Sequence, residues 1–94
     1  MIRVVTDRSK PDSVCFERAL RAIKDGQLPP GVAERVWGGL GSGLPCSLCG
    51  QPIHSSDIEI ELDGVGTAAA VRFHSRCHHL WQQACARVSA EADH

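Results

Sequence analysis

The stretches Cys46-Ser47-Leu48-Cys49 and His74-Ser75-Arg76-Cys77 decide the fold of this chain. They form a C-x-x-C and an H-x-x-C pair with 24 residues between them. Together they offer three thiolates and one imidazole, the complement of a closed tetrahedral zinc site. Two residues between cysteines let a tight turn aim both sulfurs at one ion, and Gly50 can take the left-handed backbone that such a turn needs. On a helix, positions 74 and 77 are neighbours on one face, so His74 and Cys77 can reach the same ion. A helix N-terminus also favours thiolate over thiol. His54 and His78 are the alternatives for the fourth position. Bringing the two pairs together closes a loop at a cost of roughly 3 kcal/mol of chain entropy. Structural zinc typically supplies about 10–16 kcal/mol. The metal term wins, and the reading is one structural Zn(II) per chain on Cys46, Cys49, His74 and Cys77.

Between the pairs, Asp57-Ile58-Glu59-Ile60-Glu61-Leu62-Asp63 alternates apolar and acidic residues, which predicts a half-buried strand. Asp63-Gly64-Val65-Gly66 reads as a turn, and Ala69 to Phe73 as the returning strand of a hairpin. From Ser75 to about Val88 the period becomes helical, with Cys77, Trp81, Ala84 and Val88 on one stripe.

Upstream, Ile2-Arg3-Val4-Val5-Thr6 reads as a short strand or extended arm. Asp12 to Asp25 predicts an amphipathic helix, with Phe16, Leu20 and Ile23 as its apolar face and Gly26 as its stop. Pro29-Pro30 then opens a second short helix carrying Val32, Val36 and Trp37. Gly38 to Gly43 reads as a hinge-like loop; it lacks the Gly-Lys-Ser/Thr ending of a phosphate loop. The predicted fold is thus a small α+β zinc-stabilised domain: N-terminal helices, a knuckle, a β-hairpin and a C-terminal helix. Residues 1–43 form the helical segment and connector, and 44–94 the zinc module, in one compact unit.

Composition agrees with a stapled core. At 94 residues, with two Phe, two Trp, one Met and no Tyr, burial alone gives a thin margin. Cys15 and Cys85 remain as single thiols, read as core residues, as are Trp37 and Trp81. No run of sequence has the length or apolarity of a membrane span or a secretory leader, so a reducing cytoplasm is the expected compartment. The net charge is −1. It divides into +2 over residues 1–45 (seven Lys/Arg, five Asp/Glu) and −3 over 46–94 (three against six).

Knuckle, hairpin and a helix that opens with the last ligands is the order of a treble-clef zinc finger. The segment Cys46-x-x-Cys49…Phe73-His74-x-x-Cys77 resembles the first zinc module of a LIM domain, over about a third of the chain. Past Cys77 the chain runs on as His78-His79-Leu80-Trp81, where a LIM domain carries a second set of cysteine ligands. The longer pattern Arg35-x-Trp37-Gly-Gly-x-Gly-x-Gly…Pro45-Cys-x-x-Cys-x-x-Pro52-Ile…Phe73-His-x-x-Cys77-x-x-x-Trp81 is similar to a group of short bacterial zinc-binding proteins, with no activity to carry over.

These features imply a non-enzymatic module that contacts another protein, because four filled ligand positions leave none for a substrate. Asp57, Glu59, Glu61 and Asp63 are the candidate contact face. A nucleic-acid binder or small regulator is the second reading, with Arg18, Arg21, Lys24 and Arg35 as its basic residues. The low total charge and the lack of aromatic–basic interleaving weigh against it. A thiol sensor that releases zinc on oxidation is the third. An enzyme is disfavoured: Pro45-Cys46-x-x-Cys49 is half of a zinc deaminase signature, and its H-x-E partner is missing.

Overall fold

The computed structural model describes residues 11–31, 35–63 and 71–92. The arm at Ile2–Thr6, Val32 of the expected second helix, the turn at 64–66 and the start of the returning strand lie outside the described residues. Among those described, two helices and a three-stranded antiparallel sheet form a small α+β fold.

Helix α1 runs Asp12–Lys24. Pro11 precedes it without a side-chain cap, while Asp12 in the first turn and Arg21 and Lys24 in the last complement the helix dipole. Its end is a Schellman turn: Gly26 has φ +80°, its N–H meets the Ile23 carbonyl at 3.1 Å, and the Gln27 N–H meets the Ala22 carbonyl at 2.8 Å. The buried stripe is Cys15, Ala19, Leu20 and Ile23, with Phe16 partly covered beside it. The face is therefore rotated slightly from the expected Phe16–Leu20–Ile23 line.

Strand β1 spans Arg35–Leu40, β2 Ile58–Asp63 and β3 Val71–His74, in the sheet order β1-β2-β3. Strand β1 stands where the sequence predicts the end of a second helix and the start of a glycine hinge. Residues 35–37 are extended, and Gly38 and Gly39 continue the strand, pairing with Ile60 and Glu59. Local propensity argues against a strand with two glycines. The β2 strand overrides it by supplying a ladder along all six positions, from Arg35 opposite Asp63 to Leu40 opposite Ile58.

Helix α2, Ser75–Ala92, follows β3 without a linker. Cys77, Leu80, Trp81 and Ala84 make its buried stripe. It covers the sheet face that carries Val71, Phe73 and Leu62, and Trp81 stacks on Phe73 with ring centroids 5.6 Å apart. Helix α1 lies on α2 and runs in the same direction, as ion pairs at both ends show: Arg76–Asp12 at 3.3 Å and Lys24–Glu91 at 3.4 Å. The segment after α1 is pinned to α2 by the Trp81 indole N–H, which donates to the Pro29 carbonyl at 2.9 Å. Trp81 is thus core, as the sequence suggests. Trp37 is not: it is 49% exposed on β1.

One glycine is set by close approach. A Cβ at Gly41 would fall on the backbone carbonyls of Ile53 and His54, and backbone cannot swing aside as a flexible side chain can. Gly41→Ala is expected to cost about 1–3 kcal/mol through forced backbone displacement. Urea denaturation of the metal-loaded protein measures it; Gly39→Ala, where nothing lies within 4 Å, is the control and should change little.

Candidate metal centre

The chain from Leu44 to Ile53 forms the knuckle. Pro45 and Pro52 face each other across an antiparallel bridge, the Cys46 N–H donates to the Gln51 carbonyl at 2.9 Å, and the Gly50 N–H donates to the Cys46 carbonyl at 3.0 Å. Gly50 closes the turn at φ +81°, the left-handed value expected for it. The knuckle is stitched to the sheet through β3. Ser47 N–H donates to the Arg72 carbonyl at 2.7 Å, and Arg72 N–H donates to the Ser47 hydroxyl at 3.2 Å.

This docking brings Cys46 and Cys49 to the junction of β3 and α2. His74 closes the strand, and Cys77 lies one helical turn on. The ligand atoms of Cys46, Cys49, His74 and Cys77 all fall within 4.8 Å of one another, a cluster that could hold one metal ion. The three cysteines are buried and His74 is partly buried. The His74 Nδ1 stands 3.4 Å from the Cys49 sulfur and 3.9 Å from that of Cys77. A tetrahedron with bonds of about 2.0 Å to nitrogen and 2.3 Å to sulfur has edges of about 3.5–3.8 Å. The spacing therefore suits a single small ion.

The imidazole is oriented from behind. Its Nε2 is 3.2 Å from the Pro52 carbonyl, with an Asp57 carboxylate oxygen at 3.9 Å. An N–H at Nε2 donating to Pro52 leaves the Nδ1 lone pair facing the thiols, the tautomer that a metal requires. A groove of about 470 Å³ lined by Gln51, His54, Asp57, His74 and Arg76 among others runs along this outer edge of the ring and includes none of the cysteines. Solvent thus meets the back of the imidazole rather than the cluster.

The electrostatics of the three thiols differ. The Cys46 thiol is pulled down to about 4, first by a hydrogen bond from the Cys77 thiol and then by backbone donors. The Leu48 N–H is one of these, 3.4 Å from its sulfur. The Cys77 thiol is pushed up because it gives that bond and is buried, and the Cys49 thiol is pushed up chiefly by burial. The charge is thus favoured on Cys46, and the protons on Cys49 and Cys77. A dication must displace those protons, so metal affinity falls as pH falls.

His54 and His78 do not join the cluster. His78 lies 6.1 Å from the Phe73 ring and 5.8 Å from that of Trp81, and burial pushes its pKa down. His54 is exposed, its backbone N–H donating to Asp57 at 3.1 Å. Cys15 is fully buried in the core, and half-buried Cys85 has its sulfur 3.6 Å from the Pro29 carbonyl, with its thiol pushed up to about 11 by burial.

The acidic face is not uniform. Asp63 is exposed, Asp57 and Glu61 are half-buried, and Glu59 is buried at 7% exposure. Glu59 takes the Ser42 hydroxyl at 2.7 Å, the Ser42 N–H at 2.9 Å and the Arg72 guanidinium at 3.2 Å. It is a brace between the approach to the knuckle and the strand behind it, and so cannot serve as an exposed contact residue. Alternation alone could not reveal this, because the three groups that cover Glu59 come from 13 and 17 residues away.

These contacts hold the Glu59 carboxyl below its ordinary value of 4.5, the Ser42 hydroxyl first among them. A folded-state pKa below the unfolded one gives stability that is present above about pH 5 and lost as pH falls through the folded value. Glu59→Gln is expected to cost about 1–3 kcal/mol at pH 7. The gap from wild type should narrow as pH falls below about 5. Parallel urea titrations across that range measure it; a gap that widens on acidification would contradict the assignment.

No family model, curated protein or solved structure matches this chain. Its function must therefore be read from the site itself. Among the described residues, no helix is long and apolar enough to cross a membrane.

Proposed function

We propose that the chain is a non-enzymatic zinc-binding module whose single Zn(II) is structural and whose surface serves protein–protein contact in the cytoplasm. The observation that carries the metal reading is the convergence of three buried sulfurs and one preoriented imidazole on a point between knuckle and helix. Three thiolates and an imidazole suit zinc's borderline-soft character and complete its four positions. Cys46, Cys49, His74 and Cys77 would hold the ion, which would supply a cross-link between two segments distant in sequence. The succession of knuckle, β2, β3 and α2 supports the treble-clef, LIM-like reading.

A filled tetrahedron offers no place for a substrate, so the biological activity would lie on the surface. There, Asp57, Glu61 and Asp63 remain as acidic contact candidates, with Glu59 behind them. A protein partner is favoured over nucleic acid because a net charge of −1 does not supply the density of positive charge that a polyanion needs.

The test is elemental analysis of protein purified without added metal. One zinc per chain is expected, falling to near zero in Cys46→Ser/Cys49→Ser. Zero or two equivalents in the wild type would contradict the proposal.

A further inference from the structure

Strand β1 is built unlike the rest of the sheet. All six of its residues are exposed, including Val36 (54%), Trp37 (49%) and Leu40 (72%). The far edge of the sheet is occupied, since Ser47 of the knuckle bonds along β3. Among the described residues, nothing pairs with the outer edge of β1. Apolar side chains along an open edge are a template for another strand, which natural proteins otherwise blunt with charge or proline.

The glycines are the second observation. Neither Gly38 nor Gly39 has a positive φ, and a Cβ would meet nothing within 4 Å at Gly39 and only Ile60 at 3.6 Å at Gly38. The fold of this chain does not need them, yet glycine weakens a strand. Above Gly39 lies a shallow depression of about 160 Å³, walled by Trp37, Leu40, Glu59 and Glu61. Trp37 thus stands beside a hole of its own making, two residues away on the same side of the strand.

We propose that a second copy of this chain pairs with β1, antiparallel about a twofold axis at Gly38, to make a continuous six-stranded sheet. The register follows from three constraints. An axis perpendicular to the sheet keeps the same face up in both copies, so opposed residues must share parity. The Gly41 N–H donates to the Asp57 carbonyl at 3.0 Å, in register with Arg35 opposite Asp63, so odd-numbered residues bond inward to β2. Val36, Gly38 and Leu40 then present their N–H and C=O groups outward. Centring on Gly38 sets Gly38 against Gly38 and Val36 against Leu40 twice, using all the outward groups of the strand. The same register lays each Trp37 over the other copy's Gly39, with the Glu61 carboxylate at hand for the indole N–H. Shifting by two residues either way loses one of these matches. A different protein would have to bring its own matching tryptophan and hole, whereas a second copy carries both.

On the other face, Val36, Leu40 and Ile58 form an apolar strip beyond the reach of α2, and the pairing covers it from both sides. The area buried is on the order of 1,000 Å² in total, the lower bound for a specific interface, which fits a micromolar dimer.

Sedimentation equilibrium of the full, metal-loaded chain from about 5 to 500 µM brackets that affinity. The mass should rise from 10.1 kDa to twice that value. Trp37→Ala and Gly39→Leu, one removing the knob and the other filling the hole, should each weaken association about 30-fold. Their metal content and circular dichroism should stay as in the wild type. Mixed together, the two variants should pair with each other better than either pairs with itself, because the intact tryptophan of one meets the intact glycine of the other. A monomer at every concentration overturns the proposal, as does a dimer that neither substitution weakens or a mixture with no preference. So does a chain that dimerises only after residues 1–10 are removed, which would give the edge to its own N-terminal arm. Zinc content is read separately, so failure here leaves the metal reading standing, and the reverse.

Discussion

Chelation of the metal is expected to unfold the protein from the knuckle through α2. Apparent folding energies supplied by structural zinc, about 10–16 kcal/mol, equal or exceed the whole stability of a small domain, about 5–15 kcal/mol. The core of this chain explains why no reserve remains. Cys46, Cys49 and Cys77 are themselves among its buried residues, exposed by 3%, 3% and 0%. Without the ion three buried cysteines would crowd together with no cross-link between them. Apart from the burial of Leu48 and Ile53, the knuckle is held to the sheet by the paired bonds of Ser47 with Arg72 and by the Glu59 brace. Those are partly solvent-facing and worth about 1 kcal/mol or so each. Helix α1 should loosen as well, since its buried face lies on α2. Amide exchange before and after chelation follows the loss residue by residue. Protection surviving from Cys46 to Val88 in the metal-free protein would contradict a structural role.

Phe73→Ala carries the second largest expected effect, a loss of about 3–5 kcal/mol. Phe73 is the largest fully buried side chain, at 0% exposure. It lies beside the site, because its neighbour in sequence is the candidate ligand His74 and its ring lies against Trp81 at 5.6 Å and His78 at 6.1 Å. Little can collapse into the space it leaves, since the sheet backbone and α2 bound it on both sides. Guanidinium denaturation with saturating zinc isolates the packing loss from metal loss. Phe73→Leu, which keeps most of the volume, should recover more than half of it.

The parts of this fold that could be read from sequence are those whose cause is local. The knuckle needs only Cys46, Cys49 and Gly50 in order, and the stripe of α2 needs only a period of 3.6. Helix α1 is legible from its end signals, and β2 from its alternation. Strand β1 was hidden because its cause lies elsewhere. Gly38 and Gly39 advertise a loop, and only the ladder with Ile60 and Glu59 of β2, well beyond local range, makes them extended. The same distance hid the burial of Glu59, which depends on Ser42 and Arg72. It also hid the exposure of Trp37 and Ile58, two apolar residues beyond the cover of α2. The tautomer of His74 was not legible either, since the Pro52 carbonyl that sets it belongs to the far arm of the knuckle.

Zinc-edge X-ray absorption on the natively loaded protein reads the ligand set of the metal directly. Three sulfurs at about 2.3 Å and one nitrogen at about 2.0 Å are expected, with no bound water. His74→Ala should remove the outer-shell scattering of the imidazole ring and admit an exchangeable water oxygen while the three sulfurs remain. A site with two sulfurs or fewer, or a wild-type spectrum already showing an oxygen ligand, would contradict a closed structural centre on Cys46, Cys49, His74 and Cys77.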